Sequence, residues 1–210
     1  MTTVAVIDYG MGNLRSVSKA VEHVAPRATV KITADAKEIL SADRVIFPGQ
    51  GAIVGCIAAL EQGELRAAVT RALDEKPFLG LCLGLQALYE ASEEGGGTAC
   101  LSILPGTVKR FTPRDASLKV PHMGWNRVHQ ERSHPLWDGI GQDERFYFVH
   151  SYYADSADPK DAVGTTDYGL RFTSAAARDN IFAVQFHPEK SQRAGLRLLQ
   201  NFVAWDGSRH

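Results

Sequence analysis

The first half of the chain alternates short apolar, β-branched segments with stretches whose apolar residues recur at helical spacing. The predicted strands are Thr3–Ile7, Thr29–Thr33, Arg44–Phe47 and Phe78–Leu81, and the predicted helices cover residues 16–24, 56–73 and 83–92. Strand–helix alternation of this kind predicts parallel strands with helices on both faces of the sheet. The carboxyl ends of such strands form the edge at which ligands bind.

The second half of the chain is richer in strands. Strands are predicted over residues 107–111, 126–129, 146–153, 162–166 and 181–187, followed by a final helix over Gln192–Ala204. No long linker and no internal repeat interrupts the chain, so we expect one domain over residues 1–210. The sequence predicts a three-layer α/β fold, with helices on both faces of a mostly parallel central sheet and added antiparallel strands.

Charge and cysteine content argue against several classes of protein. The chain carries 23 basic and 24 acidic side chains with interspersed signs, so we do not expect nucleic acid as its partner. Its three cysteines, Cys56, Cys82 and Cys100, lack the spacing of a disulfide framework or a zinc site and favour a reducing compartment. No apolar run approaches about 18 residues, so we expect a cytoplasmic protein with no membrane as its partner. No spacing of cysteines or histidines suggests a metal site, and we expect no cofactor.

Cys82 ends a short apolar run and has a glycine two residues away on either side, at Gly80 and Gly84. This is the pattern of a nucleophile elbow, in which a sharp strand-to-helix turn exposes the nucleophile and needs small neighbours. The N-terminus of the following helix would favour the thiolate, which is the reactive form of cysteine. A buried structural cysteine in a glycine-rich turn would give the same five residues.

His187 and Glu189 flank a proline at the end of the last predicted strand. A residue before proline favours extended backbone, and residues two apart in extended chain face the same side. The carboxylate could therefore orient one imidazole nitrogen while the other faces a thiol, as in a catalytic triad. A His-Pro turn with a solvated glutamate is the alternative.

The segment Pro48-Gly49-Gln50-Gly51 follows the third predicted strand. Two glycines at this position would let backbone N–H groups turn toward a ligand, as an oxyanion hole requires. A simple turn is the alternative.

Together these motifs resemble the class I (triad) glutamine amidotransferases. Two further blocks, and the start of the chain at residues 7–14, resemble one branch of that family, the glutaminase subunits of imidazole glycerol phosphate synthases. The blocks are Pro121-His122-Met123-Gly124-Trp125-Asn126 and Tyr147-Phe148-Val149-His150-Ser151-Tyr152-Tyr153. The resemblance extends over about residues 4–204.

This resemblance implies a hydrolytic mechanism. Cys82 would attack the side-chain amide of glutamine, with His187 as the proton carrier and Glu189 as its orienting group. Ammonia would leave, and water would release glutamate from the thioester. The resemblance assigns the oxyanion hole to backbone groups of Gly49, Gln50, Gly51 and Leu83.

The same resemblance implies binding residues and a partner. Gln86, Glu94, Ser151 and Tyr152 would hold glutamine, although Glu94 could instead be a surface residue of an acidic run. The partner would be a (β/α)₈-barrel cyclase subunit, which forms a heterodimer with the glutaminase and consumes the ammonia in histidine biosynthesis. Trp125, Tyr147 and Lys190 would lie at this subunit contact, unless Trp125 packs in the core.

Three rival functions remain open on the sequence. A sister glutaminase could feed another synthase, such as anthranilate or pyridoxal phosphate synthase. A non-catalytic binding subunit could keep the fold without turnover, or another type of cysteine hydrolase could use the same α/β class. The Pro121–Asn126 and Tyr147–Tyr153 blocks argue against the first, and the intact Cys82, His187 and Glu189 argue against the second.

Overall fold

A computed structural model describes residues 1–113, 115 and 117–208. The first half of the chain contains four strands and five helices within this described part. They are β1 (Thr3–Ile7), α1 (Leu14–Val24), β2 (Thr29–Thr33), α2 (Ala36–Ser41), β3 (Arg44–Phe47), α3 (Ile53–Leu60), α4 (Leu65–Glu75), β4 (Phe78–Leu81) and α5 (Leu83–Gln86).

The second half supplies the remaining strands and one long helix. These are β5 (Ala91–Ser92), β6 (Thr98–Ala99), β7 (Gly106–Arg110), β8 (His122–Gln130), β9 (Glu144–His150), β10 (Tyr152–Ser156), β11 (Ala162–Asp167), β12 (Arg171–Arg178), β13 (Ile181–Val184) and α6 (Gln192–Ala204). Short 3₁₀ helices cover Glu94–Gly96, Pro135–Trp137 and Pro188–Lys190.

Parallel strands form the centre of the sheet, in the order β2-β1-β3-β4-β13. The sheet continues into β12, β10, β7, β5 and β6, mostly by antiparallel pairing, while β11 pairs with both β12 and β8 and β8 pairs with β9. Since β3, β4 and β13 are parallel neighbours, the segments that follow them meet at one edge. This places residues 48–51, Cys82 and residues 185–189 together.

Helices cover both faces of the parallel strands. Alternate strand residues point to opposite faces, so Ala5 and Ile7 belong to one core while Val4 and Val6 belong to the other. The first core packs against α2, α3 and α4, and the second packs against α1 and α6. The predicted three-layer α/β fold with added antiparallel strands is confirmed.

The predicted helix over residues 56–73 is wrong in its extent. Two helices, α3 and α4, are separated by a turn in which Gly63 has a φ of 59°. Such a backbone conformation suits glycine and interrupts an α-helix. The apolar residues continue at helical spacing across the turn because both helices pack on the same core.

The predicted helix over residues 83–92 is also wrong, because α5 has one turn only. The carbonyl of Ala87 accepts the Leu101 N–H at 2.9 Å, and the carbonyl of Leu88 accepts the N–H groups of Ile103 and Leu104 at 2.8 and 2.9 Å. These acceptors are therefore used by a distant loop instead of by the next helical turn.

Two predicted strands are shorter than expected. The strand over residues 146–153 is broken at Ser151, since β9 pairs with β8 whereas β10 pairs with β7 and β12. The strand over residues 181–187 ends at Val184. Within the described part of the chain, no helix has the length and apolarity needed to cross a membrane, and no His, Cys, Asp and Glu cluster has the make-up of a metal site.

Candidate active site

Cys82 lies on a strained turn between β4 and α5. Its backbone has φ 53° and ψ −104°, a combination that residues with side chains rarely adopt. Its N–H donates to the Val184 carbonyl at 2.7 Å, which ties the turn to β13. A Cβ atom on Gly80 would lie 2.9 Å from the Gly84 carbonyl oxygen, and one on Gly84 would lie 2.0 Å from the Phe47 carbonyl oxygen. Both glycines are therefore required by this elbow.

His187 and Glu189 form a buried pair beside the elbow. The His187 Nδ1 and Glu189 Oε1 atoms are 3.0 Å apart, and both side chains are almost fully buried. The expected cause of this contact is wrong, because Glu189 lies in the 3₁₀ helix Pro188–Lys190 and not in extended chain. The turn still returns the carboxylate to the imidazole. Burial of Glu189 also excludes the alternative of a solvated glutamate.

The backbone of His187 is fixed by its neighbours. Its N–H donates to the Tyr147 carbonyl at 2.9 Å, and its carbonyl accepts the Ser191 hydroxyl at 2.6 Å. The Ser191 hydroxyl oxygen in turn accepts the Tyr147 N–H at 3.0 Å. A Cβ atom on Gly195 would lie 2.0 Å from the Pro188 carbonyl oxygen, so α6 packs directly against the turn that carries the pair.

The electrostatics of His187 favour its charged form. Burial alone would lower the pKa of the imidazole, but the neighbouring Cys82 and Glu189 outweigh it and raise the pKa to about 10. Among the described residues, His187 Nε2 has no hydrogen-bond partner of normal geometry, and neither has Glu189 Oε2. Nε2 is therefore available to exchange a proton with a reacting group.

The loop after β3 packs tightly on the start of α5. A Cβ atom on Gly49 would lie 2.4 Å from Leu83 Cβ and 2.8 Å from the Tyr9 hydroxyl oxygen, so only glycine fits. Gly51 has a φ of 103°, which also favours glycine. This close approach brings the Gly49, Gln50 and Gly51 backbone beside Leu83, as the predicted oxyanion hole requires. The contact of Gly49 with Leu83 and Tyr9 is a restriction that a simple turn would not need.

A cavity of about 470 Å³ opens beside Cys82. Its size lies in the range that small-molecule sites occupy. Most of the predicted site residues line it, namely Gln50, Gly51, Cys82, Leu83, Gln86, Glu94, Ser151, Tyr152, His187 and Lys190. Gly49, Trp125, Tyr147 and Glu189 are not part of its lining.

Gln86 and Glu94 are held by hydrogen bonds at the cavity wall. Gln86 Nε2 donates to the Tyr152 carbonyl at 3.0 Å. Glu94 Oε2 accepts the Ile53 N–H at 2.8 Å, at the start of α3, where the helix dipole favours a carboxylate. Glu94 is thus anchored at the cavity and is not part of a solvated acidic run.

Trp125 is partly exposed and does not pack in the core. Trp125 is 41% exposed as a residue, and Met123 is 61% exposed. Trp125 contacts the Tyr147 ring edge-on at a centroid distance of 6.1 Å, and Lys190 Nζ lies 5.9 Å from the centroid of the same ring. Because Lys190 also lines the cavity, this small group connects an exposed apolar face with the cavity.

Sequence analysis did not identify Gln185, His122 or His150 as residues of the site. Gln185 is fully buried, and its Nε2 donates to Cys82 Sγ at 3.5 Å. His150 lines the cavity and lies 2.9 Å from His122, measured from Nε2 to Nδ1. A polar residue in the apolar run 181–186 was an available signal for Gln185. His122 and His150 lie in the two family blocks, but their contact depends on strand register and could not be predicted from them.

Known proteins match nearly the whole chain. The family model for glutamine amidotransferase class-I matches residues 5–205. The imidazole glycerol phosphate synthase subunit HisH of Nitrosococcus oceani is 58% identical over 99% of both chains. The subunit of the same name from Methylococcus capsulatus is 57% identical over 98% of both chains.

Solved structures show the same fold at low sequence identity. A glutamine amidotransferase crystal structure has a TM-score of 0.72 at 14% identity, covering 96% of this chain and 99% of the other. The structure of PurLQS from Thermotoga maritima has a TM-score of 0.70 at 17% identity, covering 97% of this chain and 98% of the other. The chain therefore belongs to the glutamine amidotransferase class-I family and, within it, to the HisH subunits of imidazole glycerol phosphate synthase.

Proposed function

We propose that this chain hydrolyses glutamine to glutamate and ammonia through Cys82, His187 and Glu189. The observation that carries the proposal is the placement of a strained cysteine and a buried histidine–carboxylate pair on one small cavity. This combination supplies a nucleophile, a proton carrier and an orienting charge for acyl transfer. Membership of the amidotransferase family fixes the expected acyl donor as the glutamine amide.

The first half of the reaction forms a thioester. His187 takes the proton of the Cys82 thiol as Sγ attacks the amide carbon, and the carbonyl oxygen becomes an oxyanion that accepts hydrogen bonds from the N–H of Leu83 and from an N–H of residues 49–51. The carbon–nitrogen bond then breaks as His187 gives a proton to the nitrogen, which leaves as ammonia. Glu189 holds the imidazole orientation and stabilises its charged form throughout.

The second half restores the enzyme. Water gives a proton to His187 and attacks the thioester carbon, and the sulfur leaves as thiolate with glutamate as the product. Gln86, Glu94, Ser151 and Tyr152 hold the rest of the substrate. The Glu94 carboxylate suits the substrate ammonium group, and the polar backbone and side-chain groups of the others suit its carboxylate and amide.

A partner is proposed from the names of the relatives, which are subunits of imidazole glycerol phosphate synthase. We expect a (β/α)₈-barrel cyclase subunit to form a heterodimer with this chain and to use the ammonia in histidine biosynthesis. The partly exposed Met123 and Trp125 lie next to Tyr147 and Lys190, which suits a subunit contact at the cavity. Three free buried cysteines fit a cytoplasmic location.

Glutamate release from glutamine tests this assignment. It is measured with the purified chain alone, and then with the cyclase subunit and its nucleotide substrate. If the rate of glutamate release rises by orders of magnitude when the cyclase and its nucleotide are both present, the proposed pairing is supported. If the chain alone is highly active and the cyclase does not change its rate, the glutaminase assignment stands but the pairing is contradicted. The chain would then supply ammonia to a different synthase.

Glu189→Gln is expected to lower kcat by about 10³- to 10⁴-fold. The amide removes the negative charge that raises the pKa of His187, and its NH₂ group can hold the wrong imidazole tautomer. Steady-state glutamate release measures the effect, with the exposed Glu64→Gln as the matched control. Equal kcat for Glu189→Gln and the wild-type protein would contradict the role of this carboxylate.

Lys190→Ala is expected to reduce stimulation by the cyclase by about tenfold, with a smaller change in the KM for glutamine. Lys190 bridges the cavity and the Tyr147 ring, so its loss separates the partner-facing group from the site. The ratio of kcat with and without the cyclase is the measurement, and the exposed Lys160→Ala is the control. An unchanged ratio in Lys190→Ala would exclude this coupling.

A further inference from the structure

A chain of hydrogen bonds that does not involve His187 reaches Cys82. Gln185 directly follows the last residue of β13, and its side chain is fully buried. Its Nε2 donates to Cys82 Sγ at 3.5 Å, and its Oε1 accepts Gln86 Nε2 at 3.0 Å. Gln86 Nε2 also donates to the Tyr152 carbonyl at 3.0 Å. The two amides and the carbonyl form one continuous path to the sulfur.

The direction of every donor on this path is fixed by the Tyr152 carbonyl, which can only accept. Gln86 must therefore present its NH₂ group to Tyr152, and one hydrogen remains for Gln185. Gln185 must then turn its oxygen toward Gln86 and its NH₂ group toward the sulfur. The result is an N–H donor aimed at Cys82, the arrangement that stabilises a thiolate.

A second arm reaches the same carbonyl from the histidine pair. His150 Nδ1 lies 2.7 Å from the Tyr152 carbonyl and must donate to it. His150 Nε2 therefore accepts His122 Nδ1, at 2.9 Å, when both rings are neutral. Burial keeps them neutral by lowering the pKa of His122 to about 4 and that of His150 to about 3.

The far end of this arm is also fixed. Asn126 Nδ2 lies 3.3 Å from His122 Nε2, and it also donates to the Asp167 carbonyl at 2.9 Å. The Asn126 side-chain oxygen accepts the Arg127 N–H at 2.8 Å, so the amide cannot turn round. Donor directions therefore agree along the whole arm from β8 to Tyr152.

We propose that Gln185 is a positioning residue for the Cys82 sulfur, that Gln86 and the Tyr152 carbonyl hold Gln185 in its donating orientation, and that the His122–His150 pair holds the Tyr152 carbonyl in place. This inference rests on the proposed role of Cys82 as nucleophile. It adds to the triad a neutral donor that keeps the sulfur in one place and favours its charged form. His187 and this donor both come from the segment that follows β13.

The test is the alkylation of Cys82 by iodoacetamide at neutral pH, together with kcat for glutamate release. Gln185→Met keeps the length of the side chain and removes the donor. We expect alkylation of Cys82 and kcat each to fall by about 10- to 100-fold, the loss expected for one hydrogen bond to a charged group, with KM changed less. Peptide mapping separates Cys82 from the buried Cys56 and Cys100.

A matched control removes a buried hydrogen bond that does not reach the sulfur. Ser174 is fully buried on β12, where its hydroxyl oxygen accepts the Thr166 hydroxyl at 2.8 Å. Ser174→Ala should leave alkylation of Cys82 and kcat within about twofold of wild type. Gln185→Leu serves in place of Gln185→Met if circular dichroism shows that the methionine variant does not fold.

The histidine arm is tested by His122→Phe and a double-mutant cycle. Phenylalanine keeps the ring stacking of His122 on Tyr168, whose ring centroid is 4.0 Å away, and removes both nitrogens. We expect about a threefold loss of Cys82 alkylation in the wild-type background and almost none in the Gln185→Met background, since the arm acts through Gln185. Additive losses would overturn the connection between the arm and Gln185.

Failure of this inference is distinguishable from failure of the proposed function. If Gln185→Met alkylates and turns over at the wild-type rate while Cys82→Ala is inactive, Cys82 remains the nucleophile and the positioning role of Gln185 is wrong. If Cys82→Ala still releases glutamate, the proposed function itself fails. Loss of alkylation in Gln185→Met but not in Ser174→Ala supports the inference.

Discussion

Cys82→Ala is expected to lower glutamate release by at least about 10⁴-fold while the protein stays folded and still binds its partner. Alanine keeps the Cβ atom and the same strained backbone at this position, so only the sulfur is lost. Without the sulfur, His187 has no nucleophile to activate and no thioester forms. Steady-state assays with glutamine, alone and with the cyclase, measure the loss.

Cys100→Ala provides the matched control for this experiment. Cys100 is a second buried cysteine, but it lies in the core that packs against α2, α3 and α4 and does not line the cavity. We expect it to retain wild-type kcat. Glutamate release by Cys82→Ala at a rate near that of Cys100→Ala would exclude the thioester mechanism.

Gly84→Ala is expected to destabilise the protein by about 4 kcal/mol and to abolish its activity. The added Cβ atom would lie 2.0 Å from the Phe47 carbonyl oxygen and 3.1 Å from the Phe47 carbonyl carbon. Both atoms belong to the backbone of β3, so no side-chain rotation relieves the overlap. The elbow and β3 must separate, which disrupts the first core and moves Cys82.

Urea unfolding measures this loss of stability. Gly141→Ala is the control, because a Cβ atom there would have no heavy atom within 4 Å and the backbone is not left-handed. Its free energy of unfolding should stay within about 0.5 kcal/mol of wild type. A Gly84→Ala variant with the wild-type midpoint in urea would show that the close approach of α5 to β3 is not required.

Local patterns in the sequence were enough to predict the parallel part of the fold. The four strands β1 to β4 lie at the predicted positions. The buried strands β1, β3 and β4 produce short apolar runs that stand out from amphipathic helices, whereas the edge strand β2 is mostly exposed and alternates polar with β-branched residues. Helix α2 was missed, although Asp35 caps it by accepting the N–H groups of Lys37 and Glu38. It is only six residues long, which is too short for a clear apolar period.

The one-turn helix α5 could not be predicted from its own residues. Residues 83–92 favour a helix locally, but the Ala87 and Leu88 carbonyls bind a loop about fifteen residues further along the chain. Strand β12 was missed for a related reason. It is buried on both faces and rich in alanine, so it shows no alternation of polar and apolar residues.

The residues of the candidate site were also predictable only in part. Cysteine, histidine and glutamate have distinctive chemistry, so Cys82, His187 and Glu189 could be selected from motifs alone. A buried glutamine such as Gln185 has no such signature. Its role depends on the direction of its hydrogen bonds to Gln86 and Cys82, which the sequence does not show. His122 and His150 are register partners on β8 and β9, 28 residues apart, and only strand pairing brings their rings together.

Covalent labelling with a glutamine-like chloroketone tests the central claim most directly. The reagent should inactivate the protein as one label attaches per chain, and peptide mapping should place that label on Cys82. Free glutamine should slow both labelling and inactivation, because they would share the cavity beside the elbow. Inactivation with the label on another residue, or labelling of Cys82 that glutamine does not slow, would contradict the account.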